Sequence, residues 1–256
     1  MPRAIVRQFP CRSDNFGVLV HDPASGKTLS IDAPEERPIL DALEREGWRL
    51  DTILTTHHHA DHVEANGALK ARFGCEIVGP AKERAKIPGI DRTVSGGDRF
   101  RIGEFAIEVI DTPGHTLGHV SYFLPDEKLL FAADTLFSLG CGRLFEGDPA
   151  TMWASLLRLR ELPDDTMLHC GHEYTATNAR FAVDVDPGNP ALRNRALEVE
   201  RLRVAREATL PVQLGQEKLT NPFLRADNPE LQAEMGMSGA DPVEVFRTLR
   251  ERRNGY

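Results

Sequence analysis

The chain runs to 256 residues with a net charge of −8, and 41% of its residues are hydrophobic. That composition supports a buried core for one large domain, or for a domain with a smaller companion. No run of about 18 apolar residues suggests a membrane span, and the acidic balance argues against nonspecific nucleic-acid binding, which depends on Lys and Arg neutralising phosphates.

In chain order, residues 1–9 read as a β-strand rather than a signal peptide, because no apolar core of a leader follows. Residues 35–47 form an amphipathic helix, with Ile39, Leu40 and Leu43 at helical spacing and Gly47 as the stop. Residues 51–56, Asp-Thr-Ile-Leu-Thr-Thr, have the β-branched and apolar content of a strand, and residues 63–73 have the apolar spacing of a helix. Between them stand His57-His58-His59-Ala60-Asp61-His62, three imidazoles and a carboxylate at a strand-to-helix turn, with His58 as an extra. A strand end is rigid and a helix start leaves its first N–H groups free, so ligands can converge there without strain. Imidazole nitrogen with carboxylate oxygen suits zinc, iron or manganese rather than calcium.

Further candidate ligands follow at other strand ends. Gly96-Gly97 is a turn and not a phosphate loop. His115 comes after the alternating strand 106–110, Asp134 closes the strand 128–134, and His172 follows the strand 166–171. Singly, each would suit a turn or an N-cap. Together the set offers five His and two Asp, enough for two metals sharing one carboxylate. His119 is expected to pack or hydrogen-bond near the site, and His21 and His169 to be structural.

A helix is expected over 149–162, opened by Asp148-Pro149. From Tyr174 the pattern changes: a long charged helix from Asn189-Pro190 to Glu207, a loop over 211–216 and a final helix over 242–253. This tail is too short and charged to bury a core alone, so it should dock onto the part before it. Strands and helices before it suggest two sheets covered by helices. The negative excess lies in residues 1–173, while residues 174–256 balance. Cys11, Cys75, Cys141 and Cys170 show no paired spacing, so a reduced, cytoplasmic setting is expected. Cys141 and Cys170 read as small apolar packing residues.

Thr56-His57-His58-His59-Ala60-Asp61-His62, followed by Gly114-His115, Asp134 and Gly171-His172, resembles the metallo-β-lactamase superfamily. Gly140-Cys141-Gly142-Arg143-Leu144-Phe145-Glu146-Gly147 and Thr220-Asn221-Pro222-Phe223-Leu224-Arg225 narrow the resemblance to glyoxalase II, the hydroxyacylglutathione hydrolases. The resemblance runs nearly end to end. It implies an α/β fold, an αββα sandwich over residues 1–173 with the metal site, and a small C-terminal helical domain over 174–256 that holds substrate. It implies His57, His59 and His115 on one divalent ion, Asp61, His62 and His172 on a second, and Asp134 bridging. Zinc is the first expectation for both ions, with iron or manganese as alternatives. His58 is then part of the turn or a support behind the ligands.

The implied reaction is hydrolysis of the thioester of S-(R)-lactoylglutathione, or a similar hydroxyacylglutathione, to a hydroxy acid and glutathione, in methylglyoxal detoxification. A hydroxide shared by two ions would be the nucleophile, with Asp61 beside it to orient it or take its proton. The glutathione handle is implied at Arg143, Phe145, Tyr174, Arg250 and Arg253, since guanidinium groups bind carboxylates bidentately. Arg143 and Arg253 stand where the family usually has Lys, and Phe145 where it often has Tyr. A monomer is expected, with no nucleic-acid or membrane partner. The rival expectation is a mono-iron glutathione persulfide dioxygenase, which needs His57, His59, His115 and Asp134 but not the second ligand set or the C-terminal basic pair.

Overall fold

A computed structural model describes residues 4–256, so residues 1–3 of the first expected strand lie outside it. The first sheet takes its strands in sequence order: β1 (Ile5–Cys11), β2 (Asn15–His21), β3 (Thr28–Ile31), β4 (Thr52–Leu54), β5 (Glu76–Pro80) and β6 (Arg92–Val94). The first three are antiparallel, and β3 to β6 run parallel. Parallel neighbours need crossovers, which here include α1 (Glu36–Glu46), α2 (Ala60–Val63) and α3 (Asn66–Phe73). Ile39, Ala42 and Leu43 of α1 and Leu69 of α3 pack in one core with Leu19, Ile53 and Ile77 of the sheet. Strands β2 and β3 are buried along both faces, as layered α/β packing requires.

The second sheet contains β7 (Arg99–Ile102), β8 (Phe105–Asp111), β9 (Val120–Leu124) and β10 (Leu129–Ala133), and after the short pair β11 (Leu136–Phe137) and β12 (Gly140–Cys141) it is extended by β13 (Met167–Cys170) and β14 (Val212–Gln213). Its helices are α4 (Pro149–Arg160), α5 (Thr175–Val185), α6 (Pro190–Val204), α7 (Leu214–Thr220), α8 (Pro229–Glu234) and α9 (Pro242–Asn254). Four of these open on the same chemistry: Asp148, Asn189, Asn228 and Asp241 accept a first-turn N–H, and Pro follows at once. Contacts cluster into two units, one of the chain up to Asp111 with Gly118–Ala132, the other of Thr112–Leu117 with Ala133–Tyr256.

Three expectations are corrected. The helix over 63–73 is broken at Glu64-Ala65, because Ala65 N–H donates to Ala33 O and Ala33 N–H to His62 O, at 3.0 and 2.8 Å. Those bonds tie the turn to the end of β3 and take the backbone groups a continuous helix would use. The loop over 211–216 is instead β14 followed by α7. Leu210, Val212 and Leu214 are buried in alternation with exposed Pro211 and Gln213, a period-two signal, and β14 pairs with β13. Helix α6 also stops at Val204, short of 207, where Arg206 takes a left-handed φ of 60°.

Candidate metal centre

The turn after β4 is built around two carboxylates. Asp32, at the exit of β3 and 5% exposed, accepts the backbone N–H of Thr56 at 2.7 Å, the Thr56 hydroxyl at 2.9 Å and His62 Nδ1–H at 2.8 Å. Since the Thr56 hydroxyl donates to Asp32, it accepts from His57 Nδ1–H at 3.0 Å. Glu83, also buried, takes the N–H and Nδ1 of His58 at 2.7 and 2.9 Å, and the N–H of Gly118 at 3.0 Å. His58 is thereby turned to Glu83, a support of the turn. Asn15 donates to both the Oδ2 and the carbonyl of Asp61, at 3.0 and 3.2 Å. His59 Nδ1 lies 3.1 Å from His57 Nε2, and His119 stacks on His57 at 4.9 Å.

His115, Asp134 and His172 form a second cluster. His115 Nδ1–H donates to Arg143 O at 2.9 Å. His115 Nε2 and His172 Nε2 both lie 3.4 Å from one oxygen of Asp134, Oδ2. The loop around His115 is held by Ser155 to Pro113 O and by Thr135 to Thr112 O. Gly147 meets Gly114 backbone so closely that a Cβ there would lie 2.7 Å from it.

One unit carries His57, His59, Asp61 and His62 on a single turn, and the other carries His115, Asp134 and His172 as a cluster of their own. The donor chemistry fits divalent ions. In His57, His62 and His115 an oxygen acceptor fixes the proton on Nδ1, which leaves the Nε2 lone pair for coordination. Neutral imidazoles with carboxylates are the donor set of zinc, iron or manganese.

The expected handle residues divide by exposure. Phe145 is 62% exposed, its ring 5.1 Å from that of His115. Tyr174 stacks flat on His172, centroids 4.8 Å apart. Arg143 is exposed. Arg253 reaches Asn178 Oδ1 at 3.2 Å, and its pKa is pushed down by burial and then by the cations Arg250 and Arg143. Arg250 is only 5% exposed: Nη1 donates to Cys141 O at 2.7 Å, and the guanidinium covers the Phe223 ring.

The remaining reactive-looking residues are structural. Cys141 and Cys170 are buried, and burial pushes both thiols up. His21 stacks on Trp48, and buried His169 is held neutral, its pKa lowered to about 4 by desolvation. Sequence reading missed Asp32, Glu83 and Asn15. Asp32 had a usable signal, since it follows a strand end as the expected ligands do. Glu83 and Asn15 had none.

The metallo-β-lactamase superfamily model matches residues 17–172, and the model for the hydroxyacylglutathione hydrolase C-terminus matches 173–256. The hydroxyacylglutathione hydrolase of Rhizobium meliloti is 61% identical over 97% of both chains. The chain belongs to the hydroxyacylglutathione hydrolase family. That of Mesorhizobium japonicum is 59% identical over 98% of both chains. Among solved structures, ETHE1 from Myxococcus xanthus aligns over 98% of this chain and 91% of its own with a TM-score of 0.70 at 27% identity. The metallo-β-lactamase fold, with its mixed sheets and helices and the family's C-terminal region, is therefore the fold of this member.

Proposed function

We propose that this family member hydrolyses the thioester of S-(R)-lactoylglutathione, or a closely related 2-hydroxyacylglutathione, to a hydroxy acid and glutathione. The observation that carries the reading is the Asp134 carboxylate, one oxygen of which lies 3.4 Å from the Nε2 of both His115 and His172. A shared oxygen between two imidazoles is what a bridging ligand requires. His57, His59 and His115 would hold one ion, and Asp61, His62 and His172 the other, zinc first and iron or manganese next. When bound, two divalent ions lower the pKa of water towards neutrality and polarise the substrate carbonyl.

The chain's own residues supply orientation and charge. Asp32 and Arg143 O fix the tautomers of His62 and His115. Asp61, half-exposed and steered by Asn15, is read as the group that orients the attacking water and takes its proton. Attack forms a C–O bond and breaks C–S, and the sulfur leaves as a thiolate, whose low pKa removes the need for a general acid. Arg143, Arg250 and Arg253 gather positive charge for the carboxylates of glutathione, with Tyr174 and Phe145 as apolar walls. Residues 1–173 are read as the metal-binding catalytic domain, which also lends Arg143 and Phe145 to the handle, and residues 174–256 as the domain that supplies the rest of it. Among the described residues no helix is long and apolar enough to cross a membrane. A cytoplasmic setting is part of the proposal, supported by four cysteines that are all free, and the chain is proposed to act as a monomer.

The test is loss of thioester absorbance with metal-replete protein and S-(R)-lactoylglutathione, beside Arg143→Ala and Arg253→Ala. Turnover that weakens mainly through KM in the variants supports both reaction and handle. Absence of turnover with two ions bound would sink the substrate, and oxygen uptake on glutathione persulfide with one iron would install the dioxygenase reading.

A further inference from the structure

Between Asp134 and Arg143 the backbone crosses a turn whose polar groups are met, one after another, by side chains from distant helices. Asn221 Nδ2 donates to Phe137 O and Gly140 O, both at 3.0 Å. Asn178 Nδ2 donates to Ser138 O at 3.0 Å. Glu217 accepts the Ser138 hydroxyl at 2.6 Å and the Leu139 N–H at 2.7 Å. Arg250 donates to Cys141 O at 2.7 Å and Gly142 O at 3.4 Å. The next carbonyl, that of Arg143, is the one His115 uses.

Two further facts show that the path of this turn is imposed. Ala133 and Leu139 take left-handed φ values of 39° and 56°, which a residue with a Cβ adopts only against a steric cost and keeps where its surroundings over-determine it. Leu139 is fully buried, and its N–H is the one Glu217 holds. A Cβ on Gly142 would lie 1.9 Å from Asp134 O and 3.3 Å from His115 Nδ1. The turn therefore lies directly against the backbone of Asp134 and the ring of His115, the two residues read as metal ligands in this unit's loop.

Glu217 is the centre of the clamp. It is fully buried, and burial raises its pKa while Ser138, Leu139 and Arg195 act the other way. Its Oε2 takes both Leu139 N–H and Asn221 Nδ2, at 2.7 and 3.1 Å, so it joins the two anchors into one network. A buried acceptor facing three donors is far from a generic core residue: removing it strands each of those donors.

We propose that Glu217 is a positioning residue for the metal centre, fixing the backbone of residues 137–142 so that Asp134 and His115 meet their ions, with Asn221 and Arg250 completing the clamp. The proposal rests on the reading of Asp134 and His115 as ligands, and it gives the C-terminal helices a task besides the substrate handle. It also predicts the behaviour of the near-isostere. A Gln side chain can turn its NH2 to Ser138 Oγ and its oxygen to Leu139 N–H and Asn221, so the network survives.

The experiment compares Glu217→Ala, Glu217→Gln and Leu159→Ala, the last opening a cavity in the buried face of α4. Three quantities are read: zinc affinity by competition with a chromogenic chelator, amide exchange at Leu139 in the metal-free protein, and Tm. Glu217→Ala is expected to weaken zinc by about 10- to 100-fold, the usual effect of losing an outer support of a metal site, and to speed exchange at Leu139. Glu217→Gln should recover most of both. Leu159→Ala should lower Tm and leave zinc affinity alone. The proposal is overturned if Glu217→Ala only lowers Tm as Leu159→Ala does, or if Gln behaves no better than Ala. Should Glu217→Ala not accumulate folded, Ser138→Ala decides: removing one donor should weaken zinc about threefold and speed Leu139 exchange, and wild-type values for both overturn the idea. None of these readouts involves substrate. A chain that showed this pattern yet left lactoylglutathione intact would sink the substrate reading and leave the positioning role standing.

Discussion

The turn at residues 57–62 and the turn at residues 134–143 supply the candidate ligands by different means. The first hangs from the parallel strands β3, β4 and β5, and its anchors lie nearer in sequence: Asp32 and Glu83 are 24 to 35 residues from the groups they hold. Those anchors are carboxylates, and they collect backbone N–H groups and imidazole Nδ1 protons. The second turn is held mainly through its carbonyls, by amides and a guanidinium that arrive from 40 to 109 residues away. One turn is thus set by the sheet on which it sits. The other is set by helices that form only later in the chain, so damage to the C-terminal segment should reach metal binding as well as substrate affinity.

The largest expected effect separates the ligands themselves. Under the proposed assignment Asp134 serves both ions and Asp61 only one. Asp134→Ala should therefore lose both ions and well over 100-fold in kcat, beyond the loss that follows removal of an outer support. Asp61→Ala should retain one ion per chain. Metal counting on purified variants checks this, and equal stoichiometry in the two would break the bridging role.

The next effect tests the first turn's anchor. Asp32 takes a left-handed φ of 56° and receives three donors, so Asp32→Ala removes the acceptor that fixes His62 Nε2 for coordination. Metal affinity and kcat should fall by about 10- to 100-fold, with KM little changed. If KM alone moved, Asp32 would belong to substrate binding and the contrast between the turns would fail. By comparison, Arg143→Ala in the second turn should raise KM by about tenfold, a charge-assisted contact to a carboxylate being worth ~1.5–3 kcal/mol, while kcat and metal content hold.

The contrast also explains what could be read in advance. The candidate ligands' places at strand ends and the helix openings at Asp148 and Asn189 were legible because each signal is local: a strand pattern followed by His or Asp, or a capping side chain followed by Pro. The break at Glu64-Ala65 was not, because it is caused by backbone bonds to Ala33, and no residue near the break announces them. Strand β14 was passed over as a loop because Pro211 masked the alternation of Leu210, Val212 and Leu214. The clamp on residues 137–142 lay furthest from reach. Glu217 carries no signal of its own in the sequence, Asn221 enters only as part of the Asn-Pro-Phe-Leu-Arg motif, and Arg250 reads as a handle residue although it is buried against Phe223.

The smallest effect concerns acid. Strand β13, which leads into His172, carries His169, 3% exposed and with its pKa lowered by desolvation to about 4. Its folded value lies below the ordinary 6.5, so the unfolded chain binds the proton first. The contribution to stability is complete above pH 6.5 and is lost as the pH falls towards 4, to a total of about 3 kcal/mol. Nothing in this step needs a metal, so it is measured on metal-free protein, where ligand protonation does not also release ions. Between pH 7.5 and 5 the wild type should lose about 5 °C more in Tm than His169→Leu. Parallel losses in the two proteins would mean that acid attacks the second turn elsewhere, and that the support beneath His172 is not its weak point.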